Sequence, residues 1–293
     1  MDSTQDLMNK TMVVTGATAG IGRAALQALV ARGARVIGVG RSAQRCRAVQ
    51  GAVLEEIRDA DLSFVVADLA SQRQIRRLAS DVEGLVRGGG GDHVDVLVNC
   101  AGTVSSWRRV TEDGYELQFA VNHLAPFLLT HALMPMLQAA PSARVVTVSS
   151  GSHYNARMHW QDLMYRRHYR CLAAYKQSKL ANVLFVAELN RRLAEENAIR
   201  AYAADPGLVN TDIGLKNTGG MEKLVWKMRQ HQGTSPEKAA RTVVHLATEP
   251  LDGNEERIYW KHSRPTRPSA RALQREEAAR LWAISERLCG LDA

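Results

Sequence analysis

Cysteine is scarce in this chain: Cys46, Cys100, Cys171 and Cys289 lie scattered through 293 residues, with no CxxC pair and no metal-ligand spacing. That excludes a disulfide-stapled fold and leaves reduced thiols, as in a cytosolic compartment. The nine histidines form no HExxH or HxH pattern; although His153, His159 and His168 fall close together, no metal is expected. No uninterrupted apolar run reaches about 18 residues, so no membrane span is expected. The longest apolar stretch, Leu124 to Leu137, holds Pro126, His131 and Pro135 and reads as a buried helix. Met1 to Asp6 has neither the basic nor the apolar region of a secretion signal, which makes cytoplasmic the expected location. No Pro/Ser-rich linker and no internal repeat divide the chain, so a polar tail over residues 1–9 and one domain over 10–293 are expected. The formal charge of +8 comes from arginines dispersed among acids, as in Arg275-Glu276-Glu277. No arginine block with stacking aromatics accompanies it, so no nucleic-acid partner is expected.

What the chain does contain is an alternation of short apolar runs and helical stretches. Strands are expected at Met12–Thr15, Arg35–Val39, Ser63–Ala67, Val94–Asn99, Arg144–Ser149, Arg200–Ala204 and Arg257–Trp260, with a last helix over Ala270 to Leu288. Apolar strands joined by helical crossovers imply a doubly wound parallel sheet of about seven strands, of Rossmann type, with helices on both faces. In such sheets ligands bind beyond the carboxyl ends of the strands. Gly16, Arg41, Asp68, Asn99 and Ser150 all fall at or just after those ends.

Two segments carry chemistry. Between the first strand and the first helix run Gly16, Ala17, Thr18, Ala19, Gly20, Ile21 and Gly22, a GxxxGxG turn. Glycines there let the backbone turn tightly and approach a pyrophosphate whose charge sits at the helix N-terminus. Further on, Tyr175 and Lys179 are four residues apart and share one helix face. A nearby cation favours phenolate over phenol, which makes a tyrosine usable as proton donor and acceptor near neutrality.

Together these segments resemble the short-chain dehydrogenase/reductase family. Thr15 to Gly22 matches its cofactor fingerprint; Asn99-Cys-Ala-Gly102 matches its NNAG motif with Cys100 in place of the second asparagine. Tyr175 to Lys179 matches YxxSK, Ser149-Ser150 ends the strand that carries the family serine, and Pro206-Gly207 matches its PG turn. The resemblance covers roughly Lys10 to Tyr259. The wording of Val121 to Thr130, Ser178 to Phe185 and Arg280 to Ser285 looks most like the retinol dehydrogenase-like branch.

The resemblance implies a cofactor groove formed by Gly16, Thr18, Ala19, Gly20, Ile21 and Gly22. It adds Asp68 and Leu69 at the adenine, Asn99, Ala101 and Gly102 along the adenosine ribose, and Pro206, Gly207, Val209 and Thr211 beside the nicotinamide. For Asp68 and Thr211, helix capping is an equal reading that can coexist with contact. It also implies four catalytic residues: Tyr175 as acid/base, Lys179 lowering its pKa and bonding the nicotinamide ribose, Ser150 donating to the substrate oxygen, and Asn122 holding a water near Lys179. Ser149 is the rival to Ser150.

Charge decides which cofactor is expected. An NAD site usually places Asp or Glu after the second strand. Here Arg41 stands there, and no acidic residue lies between Arg23 and Leu54. A guanidinium binds a 2′-phosphate through paired hydrogen bonds, so NADP(H) is expected.

The substrate is the least legible part. Tyr154, Met158, Trp160, Met164, Tyr165 and Tyr169 between Gly151 and Leu172, and Leu215, Met221, Leu224, Val225, Trp226 and Met228 between Ile213 and Gly233, suit a lipophilic small molecule. Met221 to Gln232 is amphipathic, and reads equally as a lid, a weak membrane-surface contact or ordinary packing. The expected activity is NADP(H)-dependent reduction of an aldehyde or ketone, or oxidation of the alcohol. A cofactor-binding regulatory protein without turnover, and a lyase or epimerase on the same scaffold, are the alternatives. A homodimer is expected through the helices around Gly114–Leu137 and Tyr175–Glu196, where members of the family associate.

Overall fold

The computed structural model describes residues 6–194, 199–209, 233–251 and 257–292. Its centre is one sheet in the order β3-β2-β1-β4-β5-β6-β7-β8. The strands are β1 (Thr11–Thr15), β2 (Arg35–Gly40), β3 (Leu62–Val66), β4 (Val96–Asn99), β5 (Ala143–Val148), β6 (Ile199–Asp205), β7 (Tyr259–Lys261) and β8 (Arg264–Pro265). The first seven run parallel, and β8 pairs antiparallel with β7, Lys261 opposite Arg264. All seven expected strands are present within a few residues, and the eighth is an addition. Its two residues, both exposed, are too short and too polar to register as an apolar run.

Alternation along each strand divides the core in two. Val13, Ile37, Val39 and Leu97 face a layer formed by α3 (Gln72–Gly88), α5 (Ala125–Ala132), α7 (Cys171–Leu193) and α9 (Arg275–Leu288). Met12, Val14, Val36 and Val98 face the opposite layer of α1 (Gly20–Ala31), α2 (Ala43–Glu56) and α8 (Pro236–Thr248). Both faces are dry, which is why the strands read as continuous apolar runs. The strand order reverses between β1 and β4, and that switch point opens a crevice at the carboxyl ends.

The stretch expected as one buried helix over Leu124–Leu137 is broken instead. A short α4 (Leu117–Phe119) leads into a π-helical turn, Ala120–Leu124, then α5 and a separate α6 (Met134–Gln138). Pro135 has no N–H to continue the ladder, which accounts for the break at Leu133. The C-terminal stretch likewise divides, into a 3₁₀ turn (Ala270–Leu273) and α9. Trp282 stacks on Phe185 of α7 (centroids 6.0 Å apart) and meets Phe127 of α5 edge-on at 5.0 Å. The Ser285 hydroxyl lies 2.8 Å from His123 Nε2. Thus α9 belongs to the domain's own core, packed on the Phe127 side of α5 and the Phe185 side of α7. Among the described residues no helix is long and apolar enough to cross a membrane.

Candidate active site

The glycine turn is built for close approach. Gly16 and Gly20 take left-handed φ of 68° and 53°. A Cβ on Gly16 would stand 2.9 Å from the Ala101 Cα, so the turn after β1 and the segment after β4 touch without side chains between them. The Thr15 hydroxyl fixes this contact, accepting from Cys100 N at 3.0 Å and Ala101 N at 3.1 Å while donating to Val98 O at 3.3 Å. Helix α1 begins at Gly20 after Ala19, with no side-chain cap and no acid in its first turn. Its amide groups are therefore left for an anion, as a dinucleotide pyrophosphate requires. Thr18 lies against Gly40 at the end of β2: a Cβ on Gly40 would sit 2.5 Å from the Thr18 methyl.

Arg41 follows directly and is exposed, while Ser42 caps α2 through Arg45 N. Asp68, just after β3, accepts from Ala70 N at 3.0 Å in a local turn, and its backbone N–H donates to Gln74 Oε1. Ser71, not Asp68, is the N-cap of α3. Leu69 packs against the core beside it. Asn99 turns its side chain into the helix layer, donating to Thr130 Oγ1 at 3.3 Å, so what it offers the groove is backbone. Thr211, the Met221–Gln232 segment and the apolar residues expected between 213 and 232 lie outside the described residues.

A cleft of about 250 Å³ brings together Ile21, Gly102, Ser150, Tyr175, Lys179, Pro206, Gly207 and Val209. Five separate segments (α1, the chain after β4, the end of β5, α7 and the turn after β6) thus deliver these residues to one place. Tyr175 is 9% exposed, with the Lys179 ammonium 5.8 Å from its ring centroid. Lys179 is buried, donates to Val148 O at 3.0 Å, and is pushed down to about 8 by loss of solvation. Ser149 is committed elsewhere, its hydroxyl donating to Lys179 O at 2.8 Å. Ser150 is half-exposed and its hydroxyl accepts from Ser152 N at 3.2 Å, which leaves its proton to face the cleft.

Asn122 sits in the π-helical turn. Its amide donates to Thr103 O and to Ser178 Oγ, both at 3.0 Å, and its oxygen accepts from Thr103 N at 2.7 Å. The side chain is fully used in tying the segment after β4 to α7. Cys100, the one departure within a motif, lines the cleft with its thiol pushed up to about 12 by burial.

Three residues at the site escape motif reading. Asp205 ends β6 on the cleft wall, accepting from Gly207 N at 2.9 Å and from the Tyr259 hydroxyl at 2.8 Å. Lys261 Nζ lies 4.0 Å from the same carboxylate. Asp205 directly precedes the PG turn, and that adjacency is the signal that would have found it. His153 backs Ser150: its Nδ1 lies 2.9 Å from Ser150 O, and its Nε2 accepts from Ser269 N at 3.1 Å, so Nδ1 carries the proton. Burial holds this imidazole below its ordinary pKa.

The loop expected to supply apolar substrate contacts behaves differently. Met158, Leu163 and Met164 are buried in the core, and Trp160 lies under the Arg280 guanidinium at 4.5 Å. Of the six large residues singled out there, Tyr165 and Tyr169 line a cavity. Composition does not separate a core methionine from one that meets a ligand.

A parallel sheet with a glycine turn at its switch point and a tyrosine–lysine pair beside it defines a nicotinamide-dependent oxidoreductase acting on alcohols or carbonyls. The chain belongs to the short-chain dehydrogenase family, whose model (short chain dehydrogenase) matches residues 10–220. It is 35% identical to human retinol dehydrogenase 13, covering 97% of this chain and 86% of that one. It is 36% identical to mouse polyprenol dehydrogenase over 96% of this chain and 84% of that protein. Among solved structures, an uncharacterised protein from Mycobacterium paratuberculosis superposes with a TM-score of 0.75 at 32% identity, covering 97% of this chain and 95% of the other. Within the family the chain is retinol dehydrogenase-like.

Proposed function

We propose that the protein is an NADP(H)-dependent oxidoreductase that reduces a lipophilic aldehyde or ketone, or oxidises the corresponding alcohol, with Tyr175 as its acid/base. The observation that carries this reading is the convergence of Ser150, Tyr175 and Lys179 in one cleft beside the glycine turn.

Gly16, Gly20 and Gly22 with the α1 N-terminus would hold the pyrophosphate, Arg41 the 2′-phosphate, Asp68 and Leu69 the adenine end. Pro206, Gly207 and Val209 would hold the nicotinamide side. The bound nicotinamide supplies or accepts the hydride. Tyr175 gives its phenolic proton to the carbonyl oxygen during reduction and takes it back during oxidation. Lys179 favours the phenolate by its charge, and Ser150 donates to the same oxygen as negative charge grows on it. Asn122, through the π-helical turn, keeps Thr103 and Ser178 fixed around the pair. Arg41 supports NADP(H): a carboxylate in its place would repel the 2′-phosphate, and an exposed guanidinium binds it bidentately.

Relatives named for retinol and for polyprenol support a lipophilic substrate. A cytoplasmic location, and a homodimer whose interface avoids the face covered by α9, are further parts of the proposal; fractionation and sedimentation address them. The deciding experiment follows absorbance of the reduced nicotinamide with a panel of lipophilic aldehydes and ketones, NADPH and NADH in parallel. NADPH-dependent turnover is the expected result. Tight NADPH binding with silence across the panel favours the regulatory alternative, and failure to bind either cofactor overturns the reading.

A further inference from the structure

Beside the cofactor cleft a second cavity, of about 610 Å³, opens among the first turn of α7, the segment 155–157 and Ser106 after β4. Its charge is one-sided. Arg157, Arg170 and Lys176 line it, together with Tyr165 and Tyr169, and no carboxylate does among the described residues. None of the three cations has an ion pair among the described residues. The acids near Tyr165 are already hydrogen-bonded: Asp162 accepts from Arg166 N and Arg167 N, and Glu116, behind the Tyr169 ring, from Gln118 N, Phe119 N and the Tyr169 hydroxyl. Three cations brought to one concavity repel one another unless an anion joins them, and arginine forks are suited to an oxyanion.

Two features place this charge beside the chemistry. Tyr169 and Cys171 belong both to the cavity lining and to the packed cluster of Val104 and Tyr175. Cys171 is one helical turn before Tyr175, about 6 Å along the axis. The cavity wall also contains a strained residue: Tyr165 holds a left-handed φ of 47°, with its ring stacked 5.4 Å from His159. Such conformations persist where surrounding structure enforces them, and they cluster at binding sites. Of the remaining wall, Ala156, Leu172, Ala173 and the tyrosine rings are apolar, and Ser106 and Asn155 are neutral hydrogen-bonding groups.

We propose that this cavity is an oxyanion pocket belonging to the substrate site, so that the carbonyl compound is amphiphilic. Its carboxylate or phosphate lies among Arg157, Arg170 and Lys176 while its C=O meets Tyr175 and Ser150. The inference rests on the oxidoreductase reading above and names its substrate class.

The test compares ω-oxo fatty acids with their methyl esters in wild type and in the Arg157→Gln/Arg170→Gln variant. Wild type should favour the acid in kcat/KM by about tenfold or more, the scale of charge-assisted hydrogen bonds. In the variant the acid-to-ester ratio should fall toward one, and Lys176→Gln should move it the same way. An ω-oxo alkyl phosphate, run alongside, tells which oxyanion is preferred. Independently of turnover, calorimetry on the NADPH-loaded protein compares a long-chain dicarboxylate with its dimethyl ester. Binding of the diacid that is lost in the variant supports the pocket even if no aldehyde reacts, and that silence then counts against the oxidoreductase reading alone. Equal binding of diacid and diester by wild type overturns the pocket, whether or not the variant folds.

Discussion

The Ser149 hydroxyl donates to the backbone carbonyl of Lys179 across 2.8 Å, and the Lys179 ammonium returns a bond to Val148 O at 3.0 Å. The end of β5 and the working turn of α7 are thereby cross-tied, and the two neighbouring serines fall into different jobs. Ser149→Ala should cost about 1 kcal/mol, lowering Tm by about 2–4 °C with turnover largely kept. Ser150→Ala gives up only the half-exposed bond from Ser152 N, so it should lower Tm no more than Ser149→Ala does, and it should reduce kcat by about 10²-fold, as when one donor to a developing oxyanion is removed. Thermal unfolding and kcat of both variants decide it; a catalytic loss in Ser149→Ala with none in Ser150→Ala would reverse the assignment.

Tyr175→Phe removes the proton and keeps the ring that packs with Val104 and Cys171. Turnover should fall by at least about 10²-fold while NADPH affinity holds, the usual scale for a lost acid–base group. Fluorescence titration of NADPH alongside single-turnover rates separates the two effects. Near-normal turnover would remove the phenol from the mechanism.

Lys179 links the site to alkaline stability. Burial brings its pKa from 10.5 down to about 8 in the folded protein. Between those values the unfolded chain binds a proton that the folded chain does not, so this group's contribution to stability rises with pH across that window. Below 8 both states are protonated and the cost of burying the ammonium is carried in full. Lys179→Met abolishes that cost, and Val148 O keeps a donor in Asn182 at 3.1 Å. The variant should therefore be more stable than wild type at neutral pH, with its advantage shrinking as pH rises from 8 toward 10.5. Urea unfolding at stepped pH measures this, and a pH-independent difference would show that the ammonium is not buried.

Much of this was legible beforehand because the physics that shapes it leaves periodic traces. Strands dry on both faces read as apolar runs, and a tight phosphate turn demands glycine at Gly16 and Gly20. What escaped is what leaves no period. Arg264 and Pro265 form an edge strand too short and polar to see. The π-helical turn around Asn122 follows from local hydrogen bonding that residue types do not display. Met158 and Met164 belong to a loop by sequence and to the core by packing. Asp205 belongs to no motif beside Pro206, although a carboxylate closing a buried strand needs partners, here Tyr259 and Gly207 N.

The proposed cofactor preference rests on Arg41, which is exposed and does not cap α2, a task Ser42 performs. Arg41→Ala should accordingly leave folding intact. It should weaken NADPH binding about 10–100-fold, the loss of a charge-assisted pair, and leave NADH binding nearly unchanged. Parallel fluorescence titrations provide the measurement. Equal losses for the two cofactors would move the 2′-phosphate contact away from Arg41.

Two glycines make a contrast that separates a demanded glycine from an incidental one. Gly51 lies inside α2 with nothing within 4 Å of the position a Cβ would take. Gly51→Ala should stabilise the protein by about 0.5–1 kcal/mol, since alanine loses less backbone freedom in a helix. Gly16 has φ of 68°, and a Cβ there would meet the Ala101 Cα at 2.9 Å, backbone against backbone. Relief requires the β1 turn to separate from the segment after β4, the two walls between which the cofactor would lie. Gly16→Ala should therefore destabilise the fold by about 1–3 kcal/mol and weaken NADPH binding at the same time. Chemical unfolding read together with NADPH titration tests both parts. A Gly16→Ala protein that binds NADPH normally would mean that the turn does not form the groove.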